Sequence, residues 1–196
     1  MKLPAAHQDL QHMPKHLAPG KSDEWRTPKS VFDALALVFD LDPCWPLDGP
    51  CFVPARQRYT VHDNGLTQPW HGLIWLNPPF GGRRGHVPWL KKFFVHGTGI
   101  ALVNALTSSD WFHDVVVPNA QLLCFPAGKT KFIKPDGSIG AEPANGVVLI
   151  GMGQAANSAL LKSGLGFCAA PLQRQTARNA PGSLGRERES LCKCPQ

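Results

Sequence analysis

Apolar and polar positions fall in blocks along this chain, and the period changes from block to block. Val31, Phe32, Leu35, Val38 and Phe39 recur at helical spacing, which predicts one buried helix face. Thr27-Pro28 precedes them as a good helix start, offering a hydroxyl for the N-cap and a proline for the first helical position. A short strand is predicted over 39–42, and Leu73-Ile74-Trp75-Leu76 reads as another. A helix of about ten residues is predicted from Val87, with Pro88 in its first turn. The run from Gly99 to Ala105 predicts a buried strand, followed by a short helix from Asp110. Two further strands are predicted over 121–125 and 146–151. Unbroken apolar strands separated by helical patterns predict an α/β fold, its sheet covered by helices on both faces.

The remaining stretches lack such periods. Residues 43–70 carry Pro43, Pro46, Gly49, Pro50, Pro54, Gly65 and Pro69 and are predicted to be irregular. Residues 1–20 are polar and proline-containing, which predicts a flexible arm. From Ser163 to Gln196 the chain is rich in Gly, Ser, Pro and Arg, with one apolar cluster around Leu165 and Phe167, and a disordered tail is predicted over 163–196. The folded domain is therefore expected over 21–162.

Composition narrows the class. Of the 196 residues, 43% are hydrophobic, with six Trp and ten Phe, enough for one substantial core. No run approaches the ~20 apolar residues of a membrane span, so no membrane association is expected. The polar N-terminus has no apolar h-region and is not expected to be a signal peptide. Six cysteines without a small-scaffold spacing suit a reducing cytoplasm. The formal charge of +6 favours a polyanionic partner. A metal site finds no support: His7, His12 and His16 lack cysteine partners, and Cys192 and Cys194 are too few for a closed tetrahedron.

The chemistry centres on Asn77-Pro78-Pro79-Phe80, which follows the strand at 73–76. Two prolines fix φ near −65° and remove two backbone donors, and the first also pushes Asn77 to an extended conformation. The result is a stiff corner with free carbonyls and the Asn77 side-chain oxygen beside an aromatic face. Such acceptors suit a planar group bearing an amine, such as adenine; the same four residues also suit a plain strand-closing turn. Asp42-Pro43-Cys44 ends another predicted strand, and strand carboxyl ends are where ligands sit in α/β sheets.

Taken in order, SDEWRTP (22–28), FDLDPC (39–44), DNGL (63–66), LIWLNPPF (73–80) and GTGIALVNALTSSDWFH (97–113) resemble the phage and prophage DNA N6-adenine methyltransferase family, often called phage Dam-like. The resemblance implies the Rossmann-like fold of enzymes dependent on S-adenosyl-L-methionine (AdoMet), with a mainly parallel sheet. It implies methyl transfer from AdoMet to the N6 amine of adenine in double-stranded DNA, without a metal, in the cytoplasm of a bacterial host. Phage modification or protection from restriction is the implied purpose. Asn77, Pro78, Pro79 and Phe80 match the (D/N)PP(Y/F) catalytic motif, with Phe80 expected to stack on the extruded base. The motif also serves enzymes acting on RNA adenines or a protein glutamine, and a degenerate DNA-binding relic is a further alternative.

The same resemblance implies cofactor contacts from Asp42, Pro43 and Cys44 and from Trp25, Thr27 and Pro28. The loop after Cys44 departs from the usual glycine-rich turn, reading Trp45-Pro46-Leu47. Thr27-Pro28 serves an ordinary helix start equally well. Asp63 is a candidate for the cofactor's ribose or adenine, or else a turn carboxylate in Asp63-Asn64-Gly65. Arg83 and Arg84, with Lys129, Lys131 and Lys134, lie in two predicted edge loops and are candidates for DNA phosphates or simply solvated charge. Trp111-Phe112 is read as core rather than as a wedge between bases.

Overall fold

The computed structural model describes residues 25–79, 85–140 and 145–172. The predicted arm over 1–20, Phe80, Arg83, Arg84, and the tail from 173 lie outside these residues, as do the histidines of the arm and Cys192 and Cys194.

Seven strands form one sheet: β1 Phe39–Asp42, β2 Ala55–Arg58, β3 Ile74–Leu76, β4 Gly99–Asn104, β5 Leu122–Pro126, β6 Val147–Met152 and β7 Gly166–Ala169. Their order across the sheet is β2-β1-β3-β4-β6-β5-β7. Strands β2, β1, β3 and β4 pair in parallel, whereas β4–β6, β6–β5 and β5–β7 pair antiparallel. The sheet is thus mixed, not mainly parallel as expected. An apolar run carries no direction. The described part of the β5–β6 connection holds no helix, so β6 returns directly against its predecessor.

The central strands are mostly apolar because each face is covered. On one face, α2 (Val87–His96) and a π-helical turn (Phe112–Val116) set Trp89, Leu90, Phe93, Phe112 and Val116 against Ile74, Leu76, Ala101 and Val103. On the other, α1 (Lys29–Leu35) and α3 (Gln154–Lys162) set Phe32, Leu35, Ala156 and Leu160 against Trp75, Ile100, Leu102 and Leu149. The period of two along β3 and β4 sorts their side chains between these layers. Trp111 joins the first layer, so Trp111 and Phe112 are core residues.

The predicted strands and α2 are present to within a residue or two at their ends. Three local expectations change. Helix α1 stops at Leu35, where Ala36 turns left-handed (φ 49°) and returns its N–H to the Phe32 carbonyl, so Val38 stands 53% exposed. Strand β2 lies inside the stretch predicted to be irregular, and β7 lies beyond Lys162, in the predicted tail. Both are edge strands with much of their side-chain surface exposed: β2 leaves no apolar signature, and the apolar cluster around Leu165 and Phe167 is too short to stand out as a strand.

The topology creates one privileged crevice. The connection from β1 leads outward to β2, while β3 lies on the other side of β1 and leads through α2 to β4. The carboxyl ends of β1 and β3 therefore flank a topological switch point, where open α/β sheets bind ligands. Strands β4 and β5 run in the same sense, so the loops after Asn104 and Pro126 open at this edge too.

Candidate active site

Strand β3 delivers Asn77 to the switch point. Its neighbours Trp75 and Leu76 are fully buried and anchor the corner, and Pro78 behind it is buried as well. The Asn77 Nδ2 donates to the carbonyl of Trp25 at 3.1 Å. That bond fixes the orientation of the amide and uses its donor end. The acceptor end, Oδ1, is shielded from water and has no hydrogen-bond partner. A buried acceptor left without a partner costs about 1–3 kcal/mol, which a ligand N–H arriving there would recover.

Strand β1 delivers Asp42 to the same edge. Its carboxyl is 3% exposed and accepts the Cys44 N–H at 2.8 Å. Burial pushes Asp42 up to about 7, only partly offset by the Cys44 N–H. A cationic ligand group beside it would restore the charge. Burial and the neighbouring Asp42 raise the Cys44 thiol well above its ordinary value, so it is no ready nucleophile. In place of a glycine-rich turn, Trp45 donates its N–H to the Tyr59 carbonyl at 2.8 Å and carries the Arg58 guanidinium 4.9 Å over its ring. Pro43 is pressed by the next loop: a Cβ on Gly65 would fall 2.2 Å from its carbonyl oxygen.

The segment before α1 reaches the Asn77 corner through the Trp25 carbonyl. Helix α1 begins at Lys29 with Pro28 at its N-cap and no side-chain cap. The Thr27 hydroxyl therefore does not cap the helix, contrary to expectation. It is buried and unpartnered, two residues from the carbonyl that holds Asn77. The Trp25 indole packs on Phe132, ring centroids 6.4 Å apart.

Asp63 is engaged in its own turn. Its Oδ2 accepts both the N–H and the hydroxyl of Thr60 at 2.8 Å, and these bonds hold the exposed carboxyl below its ordinary value. Lys129, Lys131 and Lys134 are exposed on the loop after β5, at the same sheet edge as Asn77. Phe132 anchors this loop in the core, and Ile133 exchanges two backbone hydrogen bonds of 2.9 Å with Arg26.

Two residues at this edge escape sequence reasoning. Arg26 is 5% exposed, and its Nη2 donates to the Asp48 carbonyl at 2.7 Å. His86, at the N-cap of α2, is buried edge-on against Trp111 with centroids 4.3 Å apart. Burial of such side chains is a tertiary property that leaves no local pattern.

An open α/β sheet with an oriented asparagine and a buried carboxyl at its switch point is the architecture of a ligand-binding α/β enzyme. The chain belongs to the DNA N-6-adenine-methyltransferase (Dam) family, which matches it over residues 15–153. The family activity is methylation of adenine in DNA, in agreement with the resemblance carried by the five sequence blocks. No curated protein and no solved structure matches the chain. Among the described residues no helix is long and apolar enough to cross a membrane.

Proposed function

We propose that the protein transfers a methyl group from AdoMet to the N6 amine of adenine at short sites in double-stranded DNA. The observation that carries this reading is the Asn77 amide, whose donor is committed to Trp25 and whose acceptor is buried and unsatisfied. The exocyclic amine of adenine offers two N–H donors. Asn77 Oδ1 and the Pro78 carbonyl accept them, which draws the nitrogen lone pair out of the ring and makes the amine nucleophilic. Because both acceptors stand on a strand end stiffened by two prolines, they need no reorganisation during the reaction.

The residues at the carboxyl end of β1 fit AdoMet. Asp42 is a buried carboxyl suited to a cationic ligand, Pro43 and Cys44 adjoin it in the chain, and Trp25, Thr27 and Pro28 are further cofactor contacts in this reading. Bound there, AdoMet supplies an activated methyl group. Asp63, occupied by Thr60, keeps one carboxylate oxygen for a cofactor hydroxyl. Phe80 stacks on the extruded base, and Arg83, Arg84, Lys129 and Lys131 neutralise phosphates. The enzyme acts in the cytoplasm of a bacterial host, where it modifies phage DNA or protects it from restriction.

The test is transfer of labelled methyl from AdoMet in a competition between duplex DNA, single-stranded DNA and RNA. Label should enter duplex DNA. Preferential labelling of RNA, or AdoMet binding without transfer to any adenine-containing polymer, would overturn the reading.

A further inference from the structure

Three loops meet at the switch-point edge: 43–50 after β1, the β3 corner at 77–79, and 127–140 after β5. A single buried residue ties all three. The Arg26 side chain donates to Asp48 in the first loop. Its backbone N–H and carbonyl pair with Ile133 in the third, at 2.9 Å each way. Its amino-side neighbour, Trp25, supplies the carbonyl that orients the Asn77 amide in the second. The loops are pressed together around this residue. A Cβ on Gly49 would lie 2.3 Å from the Pro135 carbonyl oxygen, and one on Gly140 would lie 2.5 Å from the Trp25 ring.

The third loop is stiff enough to transmit a displacement. Its backbone crosses itself at Ile133–Ile139, Gly140 donates to the Phe132 carbonyl at 2.7 Å, and Ser138 to Asp136 closes its tip. Lys131 stands two residues from Ile133 on this hairpin. The hairpin that carries the lysine is thus paired to the Arg26 backbone, and Arg26 is bonded directly to Trp25.

We infer that Arg26 is a positioning residue, coupling the basic loop to the orientation of the Asn77 amide and to the loop after β1. This rests on the proposed methyl transfer for its consequence, though not for its geometry. The Asp48 bond anchors the Arg26 side chain, the Arg26–Ile133 pairing holds the Trp25 carbonyl in place, and the Asn77 acceptor is presented to the base. Misplacing reacting groups by about 1 Å costs on the order of a hundredfold in rate, so small slack at Trp25 is sufficient to matter.

The experiment compares Arg26→Met, Arg26→Lys and Gly140→Ala in the full chain. Gly140→Ala perturbs the Trp25 ring sterically and leaves Arg26 and every charge intact, so it remains informative if Arg26→Met fails to fold. Expected for folded Arg26→Met and Gly140→Ala is a kcat lower by about tenfold or more with DNA affinity within about twofold, since the phosphate contacts are untouched. Arg26→Lys, or added guanidinium with Arg26→Met, should restore part of the rate. The Asn77 side-chain amide resonance should shift in both Arg26→Met and Gly140→Ala. An unchanged kcat and unchanged Asn77 resonance in folded variants would overturn the inference. An inactive wild type would sink the proposed reaction instead, while the Asn77 resonance would still decide whether Arg26 positions it.

Discussion

Replacing Asn77 by Asp tests the local geometry most sharply, because the (D/N)PP(Y/F) pattern admits either residue while this structure admits one. In the wild type, Asn77 Nδ2 donates to the Trp25 carbonyl at 3.1 Å. In Asn77→Asp an oxygen takes the place of that donor, so two acceptors face each other. The loss of a net hydrogen bond, together with a buried carbonyl left unsatisfied, amounts to about 2–4 kcal/mol. The corresponding fall in melting temperature is about 5–10 °C for a domain of this size. The new carboxyl can escape by protonation, since its neutral form donates to Trp25. Its folded pKa is then raised above the unfolded value, so the destabilisation is greatest at high pH and fades as pH falls through the folded pKa. Thermal melts of wild type and Asn77→Asp from about pH 5 to pH 8 read this directly, and transfer assays should show kcat falling with stability. A variant that melts within a degree of wild type at about pH 8, with the same pH dependence, would refute the argument that Trp25 selects asparagine.

Asp42→Asn should gain stability at alkaline pH. The Asp42 carboxyl titrates from 3.8 when unfolded to about 7 when folded, so wild-type stability declines as pH rises between these values. The amide removes that slope, leaving the proteins equal near pH 4 and the variant ahead above pH 7 by up to about 4 kcal/mol, measured by urea unfolding, while AdoMet affinity is lost. Lys92→Met should destabilise by about 1–3 kcal/mol in the same assay, because Lys92 Nζ bonds the carbonyls of Gly65, Leu66 and Gln68 and lies 4.7 Å over Trp70. Replacing Lys129 and Lys131 together by Ala should weaken binding to every duplex alike and lower the slope of log affinity against log salt by about 2. An unchanged salt slope would remove both lysines from the DNA interface.

The parts of the fold legible in the sequence are those whose residues are buried on both sides. Strands β3, β4, β5 and β6 are apolar runs because helices cover each face, and α2 shows Trp89, Leu90 and Phe93 at helical spacing before a left-handed Gly97. Strands β2 and β7 lie at the sheet edges with few buried side chains, and Arg56, Gln57 and Arg58 read as loop. The reversal of β6 depends on the connection after β5, not on its own residues. At the site, Asn77 and Asp42 are legible as residues at the carboxyl ends of predicted strands. The hydroxyl of Thr27 was expected to cap α1, and only the backbone at Pro28 shows that it does not. Arg26 carries no sequence signal of its own, since nothing local distinguishes a guanidinium that ties loops together from one in water.

The central claim is that the Asn77 corner presents the N6 amine of adenine for methylation. Its most direct test is nucleoside mass spectrometry of duplex DNA incubated with AdoMet and either wild type or Asn77→Ala. The account predicts N6-methyladenine with wild type and none with the folded variant. Methylation at another base or atom, or N6-methyladenine undiminished in Asn77→Ala, would contradict it.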